Sequence, residues 1–201
     1  MNYPEPIINL INCFKRLPGI GEKTAERMAL ATIKLDNKTV DTFSKSIIQA
    51  KYEIKRCKKC NNYSTDDICS ICNNKSRENK TICVVEEPKN INLFEKTGSF
   101  NGLYHVLDGL ISPLDGINPE DINLKSLFKR IKDEDIEEVI IAVKTSIEGE
   151  TTSLYILKML EDTKTTVSKI AHGVPMGADI DYLDTFTLEM ALEDRKKISK
   201  I

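Results

Sequence analysis

The chain has 201 residues, 40% of them apolar and 30% charged, enough to bury a substantial core, and no apolar run approaches the length of a membrane span. Its formal net charge of −2 hides an asymmetry: twelve basic residues face six acidic ones before Asn61, and seventeen face twenty-five from there on. That division points to a front end facing a polyanion and a remainder that repels one or receives a basic partner, although an ordinary solvated surface explains charge alone equally well. The opening residues MNYPEP lack the basic region and apolar run of a secretory signal, so a reducing cytoplasm is the expected compartment.

Ile7, Leu10, Ile11 and Phe14 recur at helical spacing and stop at a Leu17-Pro-Gly-Ile-Gly21 turn. A second helix is expected over 22–35, with Met28, Ala31 and Ile33 among its apolar positions. Gly19 and Gly21 permit backbone conformations and close approach that a side chain would obstruct, leaving N–H groups at the start of that helix free to meet an anion. Lys23 and Arg27, four apart, share a helix face and can add sequence-independent contacts to neighbouring phosphates. A plain helix connector is the bland alternative, and the two cations count against it. Val40, Phe43, Ile47, Ala50 and Ile54 then mark a third, amphipathic helix.

Cys57, Cys60, Cys69 and Cys72 form two Cys-x-x-Cys pairs. A two-residue gap lets both thiolates reach one ion at a Zn–S distance of about 2.3 Å, and two such pairs close a tetrahedral shell with no position for substrate. One structural Zn²⁺ is therefore expected, with two disulfides as the alternative that a reducing compartment disfavours. Lys55, Arg56, Lys58, Lys59, Lys75 and Arg77 surround the site, where cations either stabilise thiolates or attract nucleic acid. Cys13 and Cys83 stand in apolar stretches and are expected to be buried.

Beyond the cysteines, strands are expected at Thr81–Val85, 103–107, 139–143 and 166–170. Helices are expected over 90–96, over 118–132 with Asn118 as cap and Pro119 in the first turn, and over 151–161. Alternation of this kind predicts a mostly parallel sheet covered on both faces, with function at the carboxyl ends of its strands. Glu86, Glu87, Asp108, Asp115, Asp121, Glu148 and Glu150 fall near those ends, where converging carboxylates can hold Mg²⁺ or simply be solvated. A last helix is expected over 187–197, with Leu188, Ala191 and Leu192 as its apolar stripe. His172, before a Gly-Val-Pro turn, reads as structural or surface.

The order of a Leu-Pro-Gly-Ile-Gly-x-Lys-Thr-Ala hairpin, a four-cysteine module and a strand running into Val-Val-Glu resembles the RecR family of bacterial recombination mediators. The resemblance continues through Leu107-Asp-Gly-Leu-Ile-Ser-Pro-Leu-Asp-Gly116, Ile147-Glu-Gly-Glu150, Ala171-His-Gly-Val-Pro-Met-Gly177 and Asp181-Tyr-Leu-Asp184. It implies a helix-hairpin-helix DNA-binding region at 1–54, a four-cysteine zinc module at 55–78, a Toprim domain at 79–172, and a C-terminal oligomerisation or capping segment at 173–201. It further implies a non-enzymatic protein that acts with RecO, and in many bacteria RecF, to help RecA onto gapped DNA, assembled as a tetrameric ring. Glu86 matches the Toprim acid, but the third strand ends Ala142-Val-Lys144 where a catalytic Toprim carries an Asp-x-Asp pair, and a lysine there competes with metal. On this reading Gly19, Gly21, Lys23 and Arg27 contact DNA, while Glu86, Glu148 and Glu150 form a face for a basic partner such as RecO.

Four positions depart from the family pattern: Lys144-Thr145 replaces a common Asn-Pro, and Asp108 and Asn118 stand where Gly is common. Loop geometry is expected to differ there. Asp179-Ile-Asp181 lies beyond the sheet and reads as a surface turn. The competing class is a Mg²⁺-dependent Toprim nuclease or primase-like enzyme, and a third reading is an assembly adaptor whose basic end contacts protein.

Overall fold

The computed structural model describes residues 3–171, 173–195 and 197, which fall into two compact units, Met1–Ile54 and Lys55–Ile201. His172 lies outside the described residues. In the first unit, α1 (Glu5–Lys15) and α2 (Glu22–Ile33) form a hairpin, followed by α3 (Asn37–Glu53). Ile11, Ala25 and Ala29 are its buried centre, with Tyr3, Ile7, Leu10, Phe14 and Ile20 packed around them.

The expected stripe of α1 therefore holds, and that of α2 does not: Ala31 and Ile33 are exposed, and the packed face is the alanine pair. Methyl side chains one turn apart let the two helix backbones approach closely, which bulkier residues would prevent. Asp36 caps α3 by accepting from the Thr39 N–H at 3.0 Å. No residue of α3 is buried, and Phe43, Ile47, Ile48 and Tyr52 lie open.

The second unit begins with a two-stranded antiparallel ribbon, β1 (Lys55–Arg56) and β2 (Tyr63–Ser64), and the short helix α4 (Ser70–Asn73). Then follow β3 (Thr81–Val85), α5 (Pro88–Thr97), β4 (Leu103–Val106), α6 (Leu124–Asp133), β5 (Glu138–Ala142), α7 (Ile147–Leu160), β6 (Thr166–Lys169) and α8 (Thr185–Glu193). The four later strands form one parallel sheet in the order β4-β3-β5-β6.

Alternation along β3 divides the core. Ile82 and Val84 join Val139, Ile141, Leu127 and Ile156 on the face covered by α6 and α7, while Cys83 and Val85 join Ile91, Tyr104 and Val106 on the other. Both faces are apolar because helices or the cysteine module cover each.

Helix limits differ from expectation where polar side chains set them. Glu87 and Asn90 form a capping box that starts α5 at Pro88. Asn118 is not a cap: the Asn123 N–H donates to Leu107 O at 2.8 Å and its Nδ2 to Val106 O at 3.1 Å, pinning residues 118–123 as turns until α6 starts at Leu124. The terminal helix ends at Glu193, with Leu188 and Ala191 half-buried and Leu192 exposed.

Candidate zinc and nucleic-acid sites

The Sγ atoms of Cys57, Cys60, Cys69 and Cys72 all lie within 4.8 Å of one another. Cys60 and Cys69 Sγ are 3.6 Å apart, close to the tetrahedral edge of about 3.8 Å that a Zn–S distance of ~2.3 Å implies and far from a disulfide's ~2.05 Å. Backbone N–H groups point at the sulfurs: Cys69 donates to Cys57 Sγ at 3.3 Å and Cys72 to Cys69 Sγ at 3.5 Å. Such donors favour thiolate, and the donor set therefore fits Zn²⁺. Contact with Cys60 and Cys72 pulls the Cys69 thiol down, and contact with Cys69 pushes Cys60 up. Sulfurs so crowded cannot all ionise without a cation among them.

The module is held against β4, an edge strand. Val106 N–H donates to Cys60 O at 2.9 Å, Asn61 Nδ2 reaches Val106 O, and Ile71 packs on the Tyr104 face of the sheet. Of the surrounding cations, all but Lys75 are engaged by carboxylates among the described residues. Lys58 and Lys55 both bind Asp67 and hold its carboxyl down at about 2. Arg56 meets Asp108 at 2.7 Å and lies over the Tyr63 ring, Lys59 meets Glu134 at 3.0 Å, and Arg77 forks onto Glu95. These contacts brace the module, a part distinct from the two roles, thiolate stabilisation and attraction of nucleic acid, expected for these cations.

At the hairpin, Gly19 has a φ of +77°, a left-handed conformation that favours glycine. Gly21 at the α2 N-cap has an ordinary φ of −82°, and a Cβ there would meet nothing within 4 Å, so nothing among the described residues requires glycine. No side chain caps α2, which leaves its first-turn N–H groups open. Glu22 is paired with Lys15, whereas Lys23 and Arg27 are exposed and make no ion pair among the described residues.

At the carboxyl ends of the strands, the carboxylates do not converge on a metal site: among the described residues the cysteines are the one cluster with that spacing. Glu86 Oε1 lies 3.6 Å from Lys144 Nζ, Glu148 accepts from the Ser146 hydroxyl, and Glu150 pairs with Lys169. Asp115 accepts from Ser112 and Asp121 from the Asn118 N–H. Gly149 explains the Glu-Gly-Glu motif, because a Cβ would stand 2.0 Å from Lys144 O; only glycine lets α7 approach β5 and place Glu148 and Glu150. Asp108, where Gly is common, has a φ of +65° and is tied by Arg56 and by its own N–H to Glu86 O at 2.8 Å, whereas Asn118 needs no left-handed backbone. Asp179 and Asp181 form an exposed turn.

Cys83 is buried as expected, while Cys13 is exposed on α1. Sequence reasoning did not single out His105 and Arg130, two buried polar residues, the first within β4 and the second on α6. A His within a β-branched run and an Arg within an amphipathic helix give no signal of burial.

Four family models match the chain in succession: the RecR helix-hairpin-helix over residues 7–51, the RecR four-cysteine zinc finger domain over 54–74, the Toprim domain over 80–171, and the RecR C-terminal region over 173–196. The chain is 46% identical over 196 residues to "Recombination protein RecR" of Lactobacillus helveticus (strain DPC 4571), covering 97% of this chain and 98% of that relative. It is 45% identical over 198 residues to the protein of the same name from Enterococcus faecalis (strain ATCC 700802 / V583), covering 98% and 100%. Likeness of this extent, carried through every module from hairpin to C-terminal segment, shows that the chain belongs to the RecR family of recombination proteins.

Proposed function

We propose that the protein is a DNA-binding recombination mediator that catalyses no reaction itself. It holds gapped or single-stranded DNA without reading bases and, with RecO and RecF, helps RecA load there. The observation that carries this reading is the open start of α2: uncapped N–H groups next to Gly19 and Gly21, with Lys23 and Arg27 alongside, which make no ion pair among the described residues. Such a seat suits phosphate oxygens and carries no base readout.

Self-association into a ring would repeat that weak site and make it avid. The exposed apolar residues of α3 support such an assembly, since Phe43, Ile47 and Ile48 lie open to solvent. Glu86, Glu148 and Glu150 are the proposed face for RecO, where opposite charge would speed encounter. Lys144 beside Glu86 supports the non-catalytic reading, because an ammonium stands where a hydrolytic Toprim needs a second carboxylate. No described helix is long and apolar enough to cross a membrane, and the proposed setting is the cytoplasm, at the nucleoid.

The test incubates the protein and its Lys23→Glu/Arg27→Glu variant with plasmid and gapped DNA in Mg²⁺, scoring mobility and strand nicking together. Salt-sensitive shifting without nicking, lost in the variant, is expected; nicking removed by Glu86→Ala would replace this reading with an enzyme. For the partner face, Glu148→Lys is expected to weaken RecO association and spare DNA binding.

A further inference from the structure

After β4 the chain forms a loop whose base is buried and whose tip is not. Leu110, Ile111 and Ile122 belong to the core and Ser112 is buried, whereas Leu114 is 96% exposed. An exposed leucine is ordinary by itself, but the frame that holds this one is not. The Ser112 and Ile117 backbones exchange two hydrogen bonds, at 3.0 and 2.9 Å, and close the loop across its neck. Beyond the neck, Pro113 starts a single 3₁₀ turn, the Ser112 hydroxyl donates to Asp115 at 2.6 Å, and Gly116 turns the chain at a φ of +71°. The base is fixed to α7, because the Ile111 N–H donates to Thr152 Oγ1 at 2.9 Å. The backbone that carries Leu114 is thus ordered before any contact is made, which lowers the entropy lost when a partner buries the side chain.

Charge indicates what the leucine meets. From Asp108 to Leu124 the chain carries four acids, Asp108, Asp115, Glu120 and Asp121, and no lysine or arginine. Asp115, Glu120 and Asp121 are exposed. A leucine wedged between bases would bring these carboxylates against phosphates, so nucleic acid is the wrong occupant. Helix α7, to which the loop is tied, adds Glu148 and Glu150 in its first turn and begins at Ile147, itself 81% exposed. We propose that Leu114 is an apolar finger that enters a pocket edged by lysine or arginine on a basic protein partner, beside the acidic residues at the carboxyl ends of the strands. The inference rests on the reading of those acids as the face for RecO, and adds the apolar contact that they lack. Charge speeds encounter, and the finger slows departure.

RecO from the same organism is titrated with the full chain at low and high salt, as wild type, Leu114→Ala, Leu114→Met and Glu148→Lys. Melting temperature is the folding control, and Leu114→Ala should melt with wild type because the side chain is almost fully exposed. Leu114→Ala is expected to bind RecO about tenfold more weakly at both salts, through faster dissociation, with Leu114→Met restoring most of the affinity. Glu148→Lys should lose affinity mainly at low salt, where charge is least screened. Binding of Leu114→Ala at wild-type strength, with Glu148→Lys weakened, would overturn the finger and leave the acidic face standing. A wild type that does not bind RecO would overturn both. If Leu114→Ala instead weakens the hold on gapped DNA and spares RecO, the finger belongs to nucleic acid and the proposal falls.

Discussion

Gly19 and Gly21 look alike in the sequence and carry different obligations. Gly19→Ala forces an L-residue to a φ of +77° and is expected to cost about 1–2 kcal/mol, visible as a lowered melting temperature. Gly21→Ala has open space and an ordinary backbone, so it should melt with wild type; reduced DNA affinity in that variant would show that closeness to phosphate is what its glycine provides. His105 gives a pH signature. Burial pulls its pKa down to about 4, so the folded chain keeps it neutral while the unfolded chain protonates below about 6.5. Its stabilising contribution is complete above pH ~6.5 and is lost as pH falls to about 4, on the order of 3 kcal/mol. Denaturation of wild type and His105→Gln at saturating zinc across that window should give a shallower slope for the variant. Equal slopes would place the imidazole in water. The cysteines divide likewise: burial pushes Cys83 up to about 12, and Cys13 is exposed. Alkylation of the zinc-loaded protein should mark Cys13 alone, with the four ligands following once zinc is stripped.

Among the elements, those with a strong internal pattern were legible. β3 was readable to the residue, because a strand buried on both faces is a bare apolar run between polar ends. The four cysteines were readable because a tetrahedral site fixes their spacing. Helix starts were less so: the capping box at Glu87 and the turns pinned by Asn123 are set by contacts that no periodicity displays. The packed face of α2 was missed for a related reason, since Ala25 and Ala29 are buried for being small while hydrophobic patterning looks for large residues. The apolar pattern of α3 did predict a helix but not its surroundings, because Phe43 and Ile47 stay exposed. If they serve the proposed ring, Phe43→Asp/Ile47→Asp should lower the oligomeric state measured by light scattering while leaving helix content intact. An unchanged mass would assign the assembly to other surfaces.

For the whole molecule, the cysteine module is less an appendage than a cover on the sheet's edge. It supplies Cys60 O to Val106 N–H, Ile71 to one face and Lys59 to Glu134 beside the other. An uncovered edge strand invites pairing with another chain. Near the module, Lys55, Arg56, Lys58 and Lys59 from the basic end are held in internal ion pairs, whereas Lys23 and Arg27 on the hairpin make none among the described residues. Charge counting located a basic end; only contacts separated bracing residues from those open to DNA. The proposed clamp therefore depends on Lys23 and Arg27, and the most direct measurement is the affinity for gapped DNA as a function of salt, for wild type and Lys23→Ala/Arg27→Ala. A phosphate seat predicts that log K falls steeply with log salt in wild type and that the slope shrinks by about 1 for each contact removed, whatever the DNA sequence. The same affinity and the same slope in both proteins would contradict the account at its centre.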